Sequence, residues 1–317
     1  MNIFKKFREA SIYLALIVLV IFFSVSNKNF FQLSNFLNII NQVCVMGIMA
    51  IGMTFVIISG NIDLSVGCQV SISNIIMGYL MVNMGVPPVA AILLGIALCC
   101  VIGLVNGLIV NKIGIFAMIA TLGTMQICKG ISYSICGGMP IFGFVDGVNY
   151  VGQRSWFGVP VSVFLFLFLM VVVSFFLTRT YLGRWFFSVG GNAEASRLSG
   201  IPTMAVKIMA YVVCGFFTGI ASFVTMSRLN CSLAASGVGS EMDVITAVVL
   251  GGVSMKGGEG KLSGVFAGVL IMGVLSNGLV MIGANDYVQM IIKGIVLLFS
   301  LSVDQIKNFN FFKRATT

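Results

Sequence analysis

The stretch VIISGNIDLSVGCQ, residues 56–69, places a short polar turn between two apolar segments. One apolar run ends before the polar residues Asn61, Asp63 and Ser65, and another begins after them. In a soluble protein this would be an ordinary turn. Because both flanking runs approach the length that crosses a bilayer, the stretch predicts two membrane helices with a carboxylate held between them.

The composition of the whole chain supports this interpretation. The 317 residues are 59% hydrophobic and 9% charged, whereas a soluble domain has about 25% charged residues. Such a chain cannot cover its surface with polar groups, so lipid must cover most of it. No long polar stretch interrupts the pattern, which predicts a single transmembrane domain over residues 1–317. The net charge of +9 is better explained by basic cytoplasmic loops than by a nucleic-acid partner.

About ten apolar segments are predicted as membrane helices. They lie near residues 11–26, 43–59, 65–84, 88–110, 115–135, 161–178, 204–227, 241–255, 262–283 and 287–303. The segments at 43–59 and 241–255 are expected to be broken or partial. The N-terminal run resembles a signal peptide, but no small-residue cleavage site follows it, which favours a retained first helix.

The distribution of basic residues predicts the orientation of these segments. With the N-terminus inside, only Lys28, Arg154 and Arg228 fall in outside loops, and Lys129 and Lys293 fall within segments. All other Lys and Arg residues lie on the inside, as the positive-inside rule requires. Both termini are therefore predicted to be cytoplasmic.

No catalytic or metal-binding set is predicted. The chain has no His, which excludes the Ser-His-Asp and Cys-His nucleophile arrangements, and its eight Cys show no metal-ligand spacing. The glycine-rich stretch GGVSMKGGEGKLSG, residues 251–264, lacks the glycine and the Ser or Thr that a phosphate-binding loop requires. We therefore expect no cofactor in this chain, and energy for active transport must come from another chain or from an ion gradient.

The connection at residues 179–203 contains signals for a short helix. Asn192 is placed to cap its start, Glu194 and Arg197 complement its dipole, and Gly200 is placed to end it. A helix of about two turns is unstable alone, so it must dock on something. It could dock on the chain's own membrane helices, or a cytoplasmic partner could grip it.

Several polar residues fall within apolar segments, where each is costly unless it faces the bundle interior or a wet cavity. They are Asn74, Asn106, Gln126, Lys129, Asn277 and Lys293. Lys293 requires a carboxylate, carbonyls or water, and Asp63 is a possible partner. Each Asn could form an interhelix hydrogen bond or line a translocation path.

Five motifs, in order along the chain, resemble one family. They are GNIDLSVG (60–67), GLVNGLIV (103–110), FAMIATLGTM (116–125), GGNAEASRLSGI (190–201) and TAVVLGGVSMKGGEGKLSGVFAGVLIMGVLSNGL (246–279). The chain resembles the permease subunit of bacterial ABC importers for simple sugars, of the ribose, xylose and galactoside type. One departure is Asn61, where family members often carry glycine.

The resemblance implies an all-α integral membrane fold like that of the cobalamin importers, multi-pass in the bacterial cell membrane. It implies a second permease subunit forming a homodimer, a cytoplasmic ATPase that uses ATP and Mg, and an extracytoplasmic binding protein that delivers a monosaccharide. The alternative is an ion-coupled secondary sugar carrier, but such carriers often use intramembrane carboxylates, which are scarce here.

The resemblance also assigns expected roles to residues. The segment that couples to the ATPase would contain Gly191, Asn192, Glu194, Arg197, Ser199 and Gly200. Asn61, Asp63 and Ser65 would form either a capped turn or an inner gate, with Asp63 and Ser65 both accepting bonds from the following helix.

Two further sets complete the expectations. A weakly binding sugar path would use Asn106, Asn277 and Lys293. Four charged residues are expected on the outer face: Arg154, Arg228, Glu241 and Asp243. They are either candidates for docking the binding protein or ordinary solvated groups.

Overall fold

The computed structural model describes the backbone of residues 2–315 and the side chains of residues 12–302. Over that range the chain is almost entirely helical. The α-helices are α1 Asn2–Ser26, α2 Leu33–Ile58, α3 Val66–Val82, α4 Pro88–Leu108, α5 Ala117–Cys136, α6 Tyr150–Gln153, α7 Val161–Arg179, α8 Tyr181–Gly191, α9 Ala193–Leu198, α10 Thr203–Leu229, α11 Ser240–Leu250, α12 Leu262–Met281 and α13 Asp286–Ala315. A π-helical turn, Ile109–Ile113, extends α4, and one short hairpin pairs β1 Ser155–Trp156 with β2 Val159–Pro160.

Every predicted apolar segment coincides with a helix, so the all-helical membrane class is confirmed. Among the described residues, five helices are long and apolar enough to cross a bilayer: Leu33–Ile58, Pro88–Ile113, Val161–Arg179, Thr203–Leu229 and Leu262–Met281. The count of about ten crossings, the likeness to the cobalamin importers and the side on which the termini lie stay predictions.

The two segments expected to be broken behave differently. α2 is one continuous helix of 26 residues, so the expected break within 43–59 is wrong. Its glycines allow close packing instead: a Cβ at Gly52 would lie 2.9 Å from Cys214 Cα, and one at Gly47 would meet the Phe166 ring. α11 has only 11 residues, about 16 Å, which is half of a bilayer core, so the prediction of a partial segment there is confirmed.

Pairs of glycines four residues apart, which allow helices to approach closely in lipid, join helices at close range. α4 and α10 pack through both GLVNG and GFFTG: a Cβ at Gly103 would overlap the Tyr211 carbonyl oxygen, and one at Gly219 would lie 2.7 Å from Ile96 Cα. Since backbone atoms are the neighbours, no side-chain movement could relieve these contacts. The α4–α10 pair therefore forms a rigid part of the bundle beside α2.

The segment between α10 and α11 runs into the bundle along α3. Ser232 donates its side-chain hydrogen to the Asn74 carbonyl oxygen, and the Leu233 N–H donates to Asn74 Oδ1 over 3.1 Å. Further along, a Cβ at Gly237 would lie 2.6 Å from the Gly67 carbonyl oxygen. Gly67 is in the first turn of α3, so the segment before α11 brings the start of α11 beside the beginning of α3.

Candidate functional site

The short helix predicted from residues 192–200 is confirmed as α9. Asn192 caps it, because its Oδ1 accepts the Ala195 N–H at 2.9 Å. Gly200 follows the helix with φ +82°, and the Ile201 N–H donates to the Ser196 carbonyl oxygen over 3.0 Å. This is the glycine-dependent helix ending that the sequence indicated.

An exposed ion pair lies on α9. Arg197 donates to both oxygens of Glu194, from Nη2 over 2.6 Å and from Nε over 3.1 Å. Hydrogen bonding from Arg197 lowers the pKa of Glu194 below its ordinary value. Because the folded pKa is the lower one, the pair is fully formed above the ordinary Glu pKa and is lost only as the pH falls through the lowered value. α9 therefore presents an ionised pair on its exposed surface at neutral pH.

The helix before α9, α8, was not predicted. Thr180 caps it by accepting the Gly183 N–H at 3.0 Å, and it buries Phe186 and Val189 against the membrane helices. The available signal was Thr180 at the start, followed by apolar residues at helical spacing: Leu182, Trp185, Phe186 and Val189. Together α8 and α9 form a segment, the α8–α9 segment (181–198), that is anchored on one side and exposed on the other.

At the end of α8, three stretches of backbone contact one another directly, with no side chain between them. They are α8 itself, the end of α2 and the loop after α11. The Gly258 N–H donates to the Ile58 carbonyl oxygen over 2.8 Å. A Cβ at Gly190 would overlap that same oxygen and lie 2.7 Å from Gly258 N. A Cβ at Gly257 would lie 2.9 Å from Gly60 N. We call Gly60, Gly190, Gly257 and Gly258 the glycine junction; it joins α8, the end of α2 and the loop after α11.

The turn in GNIDLSVG is built on two local devices. α2 ends in a Schellman motif, because the Asn61 N–H donates to the Val56 carbonyl oxygen and Gly60 has φ +82°. Asp63 Oδ1 then accepts the Ser65 N–H at 2.9 Å, so its backbone bond lies within the turn and not, as predicted, with the first N–H groups of α3. The expected side-chain cap from Ser65 is wrong, since its hydroxyl donates to Asp63 instead.

A buried polar network extends from this turn to two other helices. Gln69 Nε2 and Asn106 Nδ2 both donate to Ser65 Oγ, over 2.8 and 2.9 Å. Thr124 on α5 donates to Asn106 Oδ1 over 2.6 Å. Asp63, Ser65, Gln69 and Asn106 are completely buried. Asn106 is therefore enclosed within the subunit, and its predicted place on a sugar path stays a prediction.

Lys293 has a different partner from the one expected. Its Nζ lies 2.6 Å from Asp243 Oδ2, so the suggested pairing with Asp63 is wrong. Asp63 is buried at the α2–α3 turn, whereas Asp243 is in the first turn of α11, next to α13. Glu241, in the same turn, is buried and accepts the Gly239 N–H at 3.1 Å. An exposed rim position for Glu241 is therefore wrong, because the preceding segment carries the start of α11 into the bundle.

Two of the remaining predicted residues lie on contacting segments, because Gln153, next to Arg154 in the chain, donates to the Arg228 carbonyl oxygen over 3.2 Å. Arg154 is exposed beside the β1–β2 hairpin, and Arg228 is half-buried at the end of α10. Asn277 is on α12, where its Oδ1 is buried without a hydrogen-bond partner among the described residues.

Comparison with known proteins establishes the family. Residues 35–301 match the family model described as a branched-chain amino acid transport system permease component. The ribose import permease protein RbsC of Bacillus subtilis is 39% identical over 93% of this chain and 92% of its own length. The L-arabinose transport system permease protein AraH of Escherichia coli is 34% identical over 86% of this chain and 85% of its own length.

A third relative, the galactose/methyl galactoside import permease protein MglC of Escherichia coli, is 33% identical over 95% of both chains. This chain therefore belongs to the family of branched-chain amino acid transport system permease components. The resemblance to sugar importer permeases that the motifs predicted is confirmed by these relatives. With its long apolar helices, the chain is a multi-pass inner-membrane protein.

Proposed function

We propose that this chain is the membrane-spanning permease subunit of an ATP-driven importer for a monosaccharide. The observation that supports this most is the α8–α9 segment, which is held to the bundle by backbone contacts and presents an exposed ion pair outward. The relatives named for import of ribose, arabinose and galactose support a simple sugar as the cargo. ATP and Mg would be used by a separate ATPase and not by this chain.

The proposed partners follow from that role. A cytoplasmic ATPase would grip α9 through Asn192, Glu194 and Arg197, and a second copy of the chain would complete the channel. An extracytoplasmic binding protein would dock on the opposite face, where Arg154 and Arg228 are the candidate contacts. Rim charges of this kind mainly tune the association rate.

The glycine junction supports a route for coupling. α8 touches the end of α2 and the loop after α11 through backbone atoms, so a displacement of α9 by the ATPase must move both. The end of α2 leads directly into the Asp63 turn, which the buried network ties to α4 and α5. In this proposal the turn is the inner gate, and Asn61, Asp63 and Ser65 shape it.

The sugar path is proposed to use Lys293 and Asn277, with Asn106 reached when the network opens. A neutral sugar needs hydrogen-bonding groups, which the amides of Asn106 and Asn277 can supply, and weak binding lets it leave. Alanine at Asn106 and Asn277 together is expected to lower the uptake rate. Normal uptake by the double variant would remove both residues from the path.

The cargo is tested by uptake into a host that lacks its own permease but expresses the partner subunits. Labelled ribose, arabinose, galactose and leucine are compared, with and without ATP depletion. We expect uptake of at least one of the three sugars, lost on ATP depletion and resistant to a protonophore when ATP is maintained. Uptake of leucine alone would contradict the sugar assignment, and ATP-independent, protonophore-sensitive sugar uptake would favour a secondary carrier.

N192A is expected to weaken binding of the ATPase to this chain. The substitution removes the cap of a six-residue helix, which costs about 1 kcal/mol of helix stability. The apparent affinity between permease and ATPase should fall by roughly fivefold, since about 1.4 kcal/mol is tenfold. N192D keeps a capping oxygen and should retain the affinity. Equal affinity of N192A and wild type, measured by titration in detergent, would show that the cap does not matter for binding.

A further inference from the structure

A cavity of about 250 Å³ with both polar and apolar walls lies between α2, α3, α10, α11, α12 and α13. The Lys293–Asp243 ion pair lies in its wall, and both side chains remain partly exposed, at 24% and 22%. The other polar side chains in the wall are Gln42, Thr225, Arg228, Ser240, Ser276 and Gln289. Charged groups inside a membrane bundle are costly and normally mark a substrate pathway, so this concentration requires an explanation.

The chemistry of the wall suits a neutral polyol. A carboxylate accepts hydrogen bonds from hydroxyls, an ammonium donates to them, and the amides of Gln42 and Gln289 do both. Met46 and Met49 supply an apolar side for the C–H face of a sugar ring. Pockets for small ligands are typically about 300–1,000 Å³, so a cavity slightly below this range fits a monosaccharide and not a disaccharide.

We propose that this cavity is a low-affinity binding site for a monosaccharide, with the Lys293–Asp243 pair as its main hydrogen-bonding contact. The inference rests on the proposed function, whose sugar cargo it deepens by naming where one subunit holds it. The pair would do two things: it keeps both charges neutralised in the empty site, and it shares its hydrogen bonds with the sugar hydroxyls when the site is filled.

The test is protection of a single introduced thiol, S276C, in the purified full-length chain. A small methanethiosulfonate reagent is applied, and peptide mapping separates this position from the native cysteines, none of which lines the cavity. With ribose at about ten times its Kd, we expect labelling of S276C to slow by about tenfold. Sucrose at the same concentration should not slow it. The readout involves no ATP, binding protein or ATPase, so it succeeds or fails separately from the importer proposal.

Two variants separate binding from structure. D243N on the S276C background should remove the protection by ribose, whereas D286N, which changes an exposed carboxylate at the start of α13, should keep it. K293M, which removes the other member of the pair, should likewise remove the protection by ribose. Each variant is first shown to elute as a single species in size-exclusion chromatography. An introduced thiol that does not react, or that reacts equally fast with and without ribose, would overturn the site. Full protection in both D243N and K293M would overturn the role of the pair.

Discussion

G190A is expected to lower ATP-driven uptake by more than about tenfold while leaving the ATPase bound. The new methyl group would overlap the Ile58 carbonyl oxygen and crowd Gly258 N, both of which are backbone atoms. Overpacking of this kind costs about 1–3 kcal/mol or more, and about 1.4 kcal/mol already corresponds to tenfold. The exposed surface of α9 is unchanged, so the partner should still bind. The contact between α8 and the end of α2 should be lost.

The measurement is uptake together with the stimulation of ATP hydrolysis by the loaded binding protein, in reconstituted vesicles. G191A is the matched comparison, because a Cβ there would approach no closer than 3.9 Å, to Gly258 Cα. In an isolated helix both changes would be favourable by about 1 kcal/mol, so helix propensity cannot explain a difference between them. Equal, near-normal uptake by G190A and G191A would show that the glycine junction does not carry coupling.

D63A is expected to destabilise the chain strongly, and D63N much less. Removing the carboxylate leaves the N–H and the hydroxyl of Ser65 without their acceptor in a completely buried site. Each unsatisfied buried donor costs about 1–3 kcal/mol, so the total is about 2–6 kcal/mol. An asparagine keeps an oxygen at the same place. Gln69, whose Oε1 has no partner among the described residues, can turn its amide to accept from the new NH₂ group.

Two measurements distinguish a structural role of this turn from a role as the inner gate. Thermal unfolding in detergent reports stability, and sugar uptake reports gating. If the turn is both a structural element and the inner gate, D63A loses stability and uptake, and D63N keeps stability but changes the uptake rate. If D63N matches wild type in both, the turn is only a capped connection. Full uptake by both variants would remove Asp63 from the gate altogether.

The parts of the fold that could be predicted are those fixed by local signals. Apolar segments marked the helices because every residue facing lipid must be apolar. The N-terminal cap of α9 at Asn192 and its C-terminal end at Gly200 could be predicted, because each depends on one residue type at one position. The close packing of α4 on α10 followed from the spacing of their glycines.

The parts that could not be predicted depend on contacts between distant segments. The sequence suggested Asp63 as the partner of Lys293, but the pairing depends on the segment before α11 carrying Asp243 inward along α3. The glycine junction combines residues from α8, the end of α2 and the loop after α11, which are far apart in the sequence. Ser65 fits the pattern of a helix cap, yet its hydroxyl donates to Asp63 and it forms no side-chain cap on α3.

The central claim is that a separate ATPase drives this chain through α9, and co-purification tests it most directly. The tagged chain is isolated from its native membrane in mild detergent, and its partners are identified by mass spectrometry. We expect an ATPase to co-purify with wild type and with D286N, and to be lost from E194A/R197A, which removes the exposed pair without disturbing the bundle. A chain that purifies alone, yet still moves sugar in vesicles without ATP, would contradict the account.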